Sequence, residues 1–368
     1  MLAPSEERTA PLPVRDDLRA ASPYDTIGTR RFPSAVDPVA LLNNNESPCP
    51  PDGRHLDALC SAAAKALTTA NRYPDSDLSA LRSALARYIG HGVGADMVWP
   101  GNGSNEVLLH LLQTYGGPGR TALGFGPTYS MHEQIATVTG TRWIQADRDS
   151  HFGLSPEAAA AAIERDRPDI VFLCALNNPT GTPLDPATLD TVLHAGPGLV
   201  VLDEAYIEFS AVGSRAGLLS RYPQLVISRT MSKAFGFAGI RVGFLVASAD
   251  VLTPLRIVAL PYHLSTLTAA VALAALDHAD ELLANIPVIL AERGRMRDAL
   301  VSSGHTVARS DANFLFFDTG ADSSAVAARL AGRGVLVRDL GPGGWLRVTV
   351  GHPDENDVFL KALADVTR

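Results

Sequence analysis

The sequence predicts an α/β protein with a large domain on a mainly parallel sheet flanked by helices, and a smaller α+β domain after it. Three observations predict this. Between about residue 95 and residue 250, short apolar runs alternate with helical patterns, the signature of repeated βαβ units. Several of those runs are apolar at nearly every position, as strands covered on both faces are. After Pro261 the alternation gives way to a long Ala- and Leu-rich segment and then to isolated strand patterns.

Taken in order, residues 1–42 show little periodicity and are expected to form an arm that packs on the smaller domain or on a neighbouring subunit. Residues 43–262 make the large domain. Leu78, Leu81, Leu85 and Tyr88 recur at helical spacing, as do Val107, Leu108, Leu111 and Leu112, and both stripes read as core. Strands are expected at Thr121–Phe125, Arg142–Gln145, Asp169–Ala175, Leu199–Leu202, Leu225–Ser228 and Val242–Ala247. Residues 263–368 make the smaller domain. It should open with an extended helix from Ala269 to about Ala299, interrupted at Pro287, and continue with strands at Phe314–Phe317, Val335–Arg338 and Leu346–Val350.

Composition narrows the function. A chain of 368 residues exceeds one simple core, and 46% hydrophobic with 19% charged residues is ordinary for a soluble globular protein. A net charge of −8 argues against a nucleic-acid surface, which would show a basic patch. Cys49, Cys60 and Cys174 form no CxxC pair, so neither a disulfide framework nor a metal site is expected. Bare thiols fit a reducing cytoplasm. Met1–Arg19 lacks the apolar stretch of a signal peptide, and the longest apolar run, Leu264–Leu276, is broken by Ser265, Thr266 and Thr268. The expectation is a cytoplasmic protein, off the membrane, acting on small molecules.

The chemistry concentrates around Lys233. It follows Thr230 and Ser232 after the apolar run Leu225–Ile227, and Arg241 stands eight positions on. Two hydroxyls and a guanidinium can bind a phosphate dianion. Asp203 ends the run Leu199–Leu202, where open α/β sheets bind ligands, with Tyr206 just beyond. Amine, carboxylate, phenol and phosphate cradle are what pyridoxal phosphate requires: the aldehyde takes the lysine, and the pyridine nitrogen takes Asp203. A solvated lysine and a helix-capping Asp are the plain alternatives for each residue alone.

Other motifs add to this. Asn177-Asn178-Pro179-Thr180-Gly181 follows a buried run and favours a turn, from which Asn178 can reach the cofactor's ring oxygen together with Tyr206; a purely structural turn is the alternative. Gly101-Asn102-Gly103-Ser104-Asn105-Glu106 enters an amphipathic helix, with Ser104 as cap and exposed N–H groups suited to an anion; an ordinary helix entry is the alternative. Glu106 stands where a dinucleotide fingerprint needs its third glycine. Arg347 lies mid-strand among apolar neighbours, and if buried it must pair with a structural carboxylate or with an anionic ligand.

Together these residues resemble the fold-type-I pyridoxal-phosphate aminotransferases of class I/II, and within them the histidinol-phosphate aminotransferase group of actinobacteria. The resemblance runs from about Val14 to the C-terminus. It rests on Leu42 to Pro48, Arg72-Tyr73-Pro74, Gly101 to Glu106, Pro127 to Met131, Asn177 to Gly181, Asp203 to Tyr206, Arg229 to Phe235, Pro261 to Ser265, Asp311 to Phe314 and Leu346-Arg347. It implies an aspartate-aminotransferase-like fold with a seven-stranded sheet, and a homodimer with its active site at the subunit interface. Catalysis falls to Lys233, Asp203 and Tyr206, with Lys233 also moving the proton. Tyr129 matches the residue stacked on the cofactor ring, and Asn178 and Tyr206 the ligands of its oxygen. Ser104, Asn105, Thr230, Ser232 and Arg241 match the phosphate cradle, and Tyr73 reaches in from the other subunit. Arg347 matches the arginine for the substrate carboxylate, and Tyr24, Tyr262 and Arg338 match positions that hold the substrate's side chain and phosphate. Leu176, Ser47 and Gly126 depart from the family pattern, and Ser47 and Gly126 border the expected substrate pocket.

The resulting expectation is transamination of histidinol phosphate against glutamate and 2-oxoglutarate. The same scaffold also serves aromatic transamination, decarboxylation, β-elimination and oxidative deamination, and a cofactor-binding module without catalysis is the reading outside enzymology.

Overall fold

A computed structural model describes residues 14–19, 37–196, 198–340 and 343–367. Tyr24 and most of the arm 1–42 lie outside the described residues. The strands are β1 (Ala40–Leu41), β2 (Val98–Gly101), β3 (Thr121–Gly126), β4 (Arg142–Asp147), β5 (Ile170–Cys174), β6 (Leu199–Asp203), β7 (Leu225–Thr230), β8 (Gly243–Val246), β9 (Phe314–Asp318), β10 (Val335–Leu336) and β11 (Trp345–Thr349).

Seven of them form one sheet in the order β2-β8-β7-β6-β5-β3-β4. Pairs from β7 through β4 are parallel, and β8 runs antiparallel to both of its neighbours. Alternation along each strand feeds two cores. Val171, Leu173, Val200, Leu202, Leu225 and Ile227 face one layer of helices, which includes Ser79–Ile89, Pro156–Asp166 and Thr266–Asp277. Ile170, Phe172, Leu199, Val201 and Val226 face the other, where Ser104–Tyr115 and Ser130–Thr139 pack. Burial on both faces is why these strands read as continuous apolar runs.

A separate core gathers Phe314, Leu315, Phe317, Leu346 and Val348 against Ile289, Met296 and Leu300 of the helix Ile286–Ser302 and Phe359 and Leu363 of the helix Pro353–Thr367. Here β9 pairs antiparallel with β11, and β1 pairs parallel with β10. The segment entering the large sheet is thus fastened to the C-terminal region.

Three sequence expectations are corrected. Strand β2 was not among those expected: it is four residues long, carries Pro100, and sits at the sheet edge where proline is tolerated. The expected long helix is divided at His278, after Thr266–Asp277, and passes through the short helix Ala279–Leu282 and the turn Leu283–Asn285 before Pro287, which lies in the first turn of the next helix where its missing N–H costs nothing. Ser104 is the first residue of its helix and not its cap; Gly103 holds that place.

Candidate active site

The C-terminal ends of the parallel strands converge on one cavity of about 260 Å³. Strand β3 leads to Tyr129, β5 to Asn178, β6 to Asp203 and Tyr206, and β7 to Thr230, Ser232 and Lys233. Cross-strand register sets Cys174 beside Asp203 and Asp203 beside Ser228, so the carboxylate sits in a row of strand ends. The cavity is lined by Ser104, Asn105, Tyr129, Asn178, Asp203, Tyr206, Thr230, Ser232, Lys233, Arg241, Arg338 and Arg347, all of which the sequence singles out.

Lys233 is half-buried and donates from Nζ to the Asn44 carbonyl at 2.8 Å, with the amine 5.9 Å from the centre of the Tyr206 ring. Desolvation pushes the amine down to about 8; Arg347 and Arg241 push the same way, while Glu46 and Asp203 oppose. A larger fraction of the amine is therefore neutral and nucleophilic near neutral pH than in a solvated lysine, and it becomes mostly neutral above pH 8.

Asp203 is 5% exposed. Its Oδ1 accepts from the Ala205 amide at 3.0 Å, and its Oδ2 lies 3.1 Å from His132 Nε2. Tyr206 Oη accepts from Asn45 Nδ2 at 3.0 Å and from Asn178 Nδ2 at 3.4 Å. Asn178 in turn accepts from Arg347 Nη1 at 2.6 Å, and Arg347 Nη2 donates to the Asn43 carbonyl. Arg338 and Arg347 exchange backbone hydrogen bonds at 2.9 and 2.8 Å, which places two buried guanidiniums on the same wall.

At the other end, Thr230 Oγ1 donates to Ser232 Oγ at 3.0 Å and Arg241 Nη1 donates to the same oxygen at 3.2 Å. Tyr129 Oη donates to Asn105 Oδ1 at 3.3 Å. A Cβ at Gly103 would lie 2.3 Å from Arg241 Nη2, and one at Gly243 would lie 2.1 Å from the Ser104 nitrogen. Only glycine lets the helix start and the guanidinium share this corner, and together they make a cationic, N–H-rich anion site.

Two expected residues do not join the cavity within this chain. Tyr73, 81% exposed, stacks on Tyr262, 43% exposed, with ring centres 4.6 Å apart. Four contributors were given no role by the sequence, although Asn44 and Asn45 lie in the motif Leu42 to Pro48. Asn44 and Asn45 act in part through backbone groups, which leave no side-chain signature. Cys174 is a buried thiol, pushed up to about 12 by burial and then by Asp203. His132, 1% exposed and stacked on Phe172, looks like an ordinary core residue; its one signal is its place a helical turn after Tyr129. Ligand atoms of His132, Cys174 and Asp203 lie within 4.8 Å of one another, as do those of His55, His278 and Glu281, and either group has the donor types a metal ion takes.

Comparison with known proteins agrees with this chemistry. The aminotransferase class I and II profile matches residues 38–363. The histidinol-phosphate aminotransferase of Thermobifida fusca is 49% identical over 358 residues, covering 97% of this chain and 96% of the relative. That of Frankia casuarinae is 52% identical over 362 residues, covering 96% and 89%. The crystal structure of the Sinorhizobium meliloti histidinol-phosphate aminotransferase in complex with pyridoxal-5'-phosphate superposes with a TM-score of 0.87 at 24% identity, covering 98% of this chain and 99% of that one. No described helix is long and apolar enough to cross a membrane. The chain belongs to the class I and II aminotransferases, enzymes whose cofactor is pyridoxal phosphate, and the donor set of its cavity fits that cofactor.

Proposed function

We propose that this chain is a histidinol-phosphate aminotransferase, exchanging an amino group between histidinol phosphate and 2-oxoglutarate. The observation that carries the reading is the pair of buried guanidiniums, Arg338 and Arg347, on the wall of the cavity that holds Lys233. A guanidinium fork matches phosphate and carboxylate alike, so one pocket can serve a phosphorylated amine and a dicarboxylic acid in turn. Near-full-length identity of 49% and 52% to proteins of that name supports it.

Pyridoxal phosphate, when bound, supplies an aldehyde for an amine and a conjugated ring that draws electrons from the substrate Cα. Lys233 would hold it covalently, Asp203 at the pyridine nitrogen, and Asn178 and Tyr206 at the ring oxygen. Tyr129 would lie against the ring; Ser104, Asn105, Thr230, Ser232 and Arg241 would hold the phosphate. His132 and the Ala205 amide each engage one Asp203 oxygen and so orient that carboxylate, which would help keep the cofactor's pyridine nitrogen protonated. With its midpoint near 8, Lys233 Nζ can take a proton from the substrate Cα and return it. Tyr206 Oη, held by Asn45 and Asn178, supplies a fixed polar contact. Arg338 and Arg347 orient the substrate's anionic group.

The remaining assignments belong to the same proposal. Residues 43–262 are read as the cofactor domain, 263–368 as the smaller domain, and the enzyme as a cytoplasmic homodimer. The stacked, exposed Tyr73 and Tyr262 would then enter the partner's active site, with Tyr73 at the phosphate and Tyr262 beside the substrate. Tyr24 keeps its proposed substrate role.

A half-reaction screen tests the function. The loaded enzyme is mixed singly with histidinol phosphate, glutamate, aromatic and sulfur-containing amino acids, and conversion to pyridoxamine phosphate is followed by absorbance. Rapid conversion by histidinol phosphate and glutamate is expected. Conversion by aromatic amino acids alone would overturn the substrate assignment, and release of carbon dioxide or ammonia would overturn transamination.

A further inference from the structure

Outside the cavity, the structure holds a buried ion pair that no step above uses. Arg229 is the penultimate residue of β7, and Glu208 lies in the short turn Ile207–Phe209 directly after Tyr206. Both side chains are 7% exposed, and Arg229 Nη2 meets Glu208 Oε1 at 2.5 Å. Tyr88, from the helix Ser79–Ile89, donates from its hydroxyl to the same oxygen at 3.1 Å, and the guanidinium lies 5.2 Å from the centre of its ring. Arg229 also offsets the burial of Glu204, whose carboxylate accepts from Ser214 and from the Arg215 amide.

The pair joins two segments that matter. On one side are Asp203 and Tyr206; on the other, Thr230, Ser232 and Lys233. Stability alone does not account for it. Glu208 Oε2 and Arg229 Nε have no hydrogen-bond partner among the described residues, and a buried ion pair with incomplete hydrogen bonding is commonly no more stable than an apolar pair of the same volume. What charge adds is a single allowed register, because either group shifted from the other is left buried and uncompensated.

We propose that Glu208 and Arg229 are positioning residues that fix Tyr206 and Asp203 relative to Lys233, and so set how tightly the cofactor is held and where the lysine-linked cofactor titrates. This rests on the roles proposed above for Lys233, Asp203 and Tyr206. Neither side chain lines the cavity, so both act through the segments they tie together.

The test uses the loaded enzyme and three variants: Glu208→Gln, the apolar pair Glu208→Leu/Arg229→Met, and, as a control for lost stability, Leu252→Ala, 3% exposed in the core on the far face of the large sheet. Two quantities are read besides activity: the pH midpoint of the visible cofactor band, and the rate of cofactor release in dilution. Glu208→Gln should release cofactor on the order of tenfold faster and move the midpoint. The double variant should regain thermal stability while keeping both defects. Leu252→Ala should show neither at a temperature where it is folded. The proposal is overturned if the double variant behaves as wild type in either readout, or if Leu252→Ala reproduces the defects. A wild-type cofactor band that persists in Lys233→Ala would instead overturn the lysine's role.

Discussion

His132 Nε2 lies 3.1 Å from Asp203 Oδ2, with the imidazole stacked on Phe172 at a centroid distance of 4.7 Å. The stacking fixes the ring plane, and the ring fixes the carboxylate. Replacing His132 by Phe keeps the packing and removes the nitrogen. Cofactor should still bind, while kcat falls by about tenfold to 100-fold, the usual cost of losing a supporting contact. Equilibrium dialysis of cofactor together with steady-state kinetics checks this; an unchanged kcat would remove His132 from the mechanism.

Lys233 gives a prediction with a definite sign. Its folded value of about 8 lies below the ordinary 10.5, so between those values the unfolded chain binds the extra proton and the native state does not. Stability of the cofactor-free protein should therefore rise with pH through that window. Lys233→Met should gain most over wild type below pH 8, and the gain should shrink as pH approaches 10.5. Denaturant melts of the two proteins at several pH values measure it. Capture of added cofactor by wild type should also accelerate through pH 8, as the amine loses its proton.

Arg347→Lys keeps the charge and loses the fork. Contacts to Asn178 Oδ1 and the Asn43 carbonyl cannot both be made by a single ammonium with the same geometry. A loss of about 1.5–3 kcal/mol of substrate binding is expected, seen mainly in kcat/KM, with the visible spectrum of the loaded enzyme retained. Equal kcat/KM in the two enzymes would show that Arg347 does not engage substrate.

Gly243→Ala tests the anion corner. The added Cβ would fall 2.1 Å from the Ser104 nitrogen and 2.3 Å from the Gly103 carbonyl carbon, both backbone atoms that cannot swing aside. The helix start must move away from Arg241, so inorganic phosphate and cofactor should both bind more weakly. Isothermal titration with each ligand reports this, and wild-type affinity for both would refute the geometry.

Much of the large sheet was legible because strands buried on both faces, such as Ile170–Cys174 and Leu199–Asp203, leave uninterrupted apolar runs that end at residues lining the cavity. Lys233, Asp203 and Arg241 were legible because side-chain chemistry is written directly in the sequence. Strand β2 was not, since a four-residue edge strand with a proline carries no periodic signal. Nor were the carbonyls of Asn43 and Asn44, whose role depends on backbone direction and not on residue type. His132 was hidden by the same burial that sets it against Asp203.

The segment Asn43–Asn45 carries one further consequence, for how the active site comes into being. Asn45 is bonded through its amide to Thr349 Oγ1, 304 positions away, and through its carbonyl to Asn313 Nδ2. Contacts this distant close last, because their loop entropy is met only once both ends exist. On the ribosome, the large sheet can form while the wall around Lys233 still lacks β11. A nascent or C-terminally truncated chain should therefore be folded in part yet unable to retain cofactor, which ties cofactor loading to completion of the polypeptide.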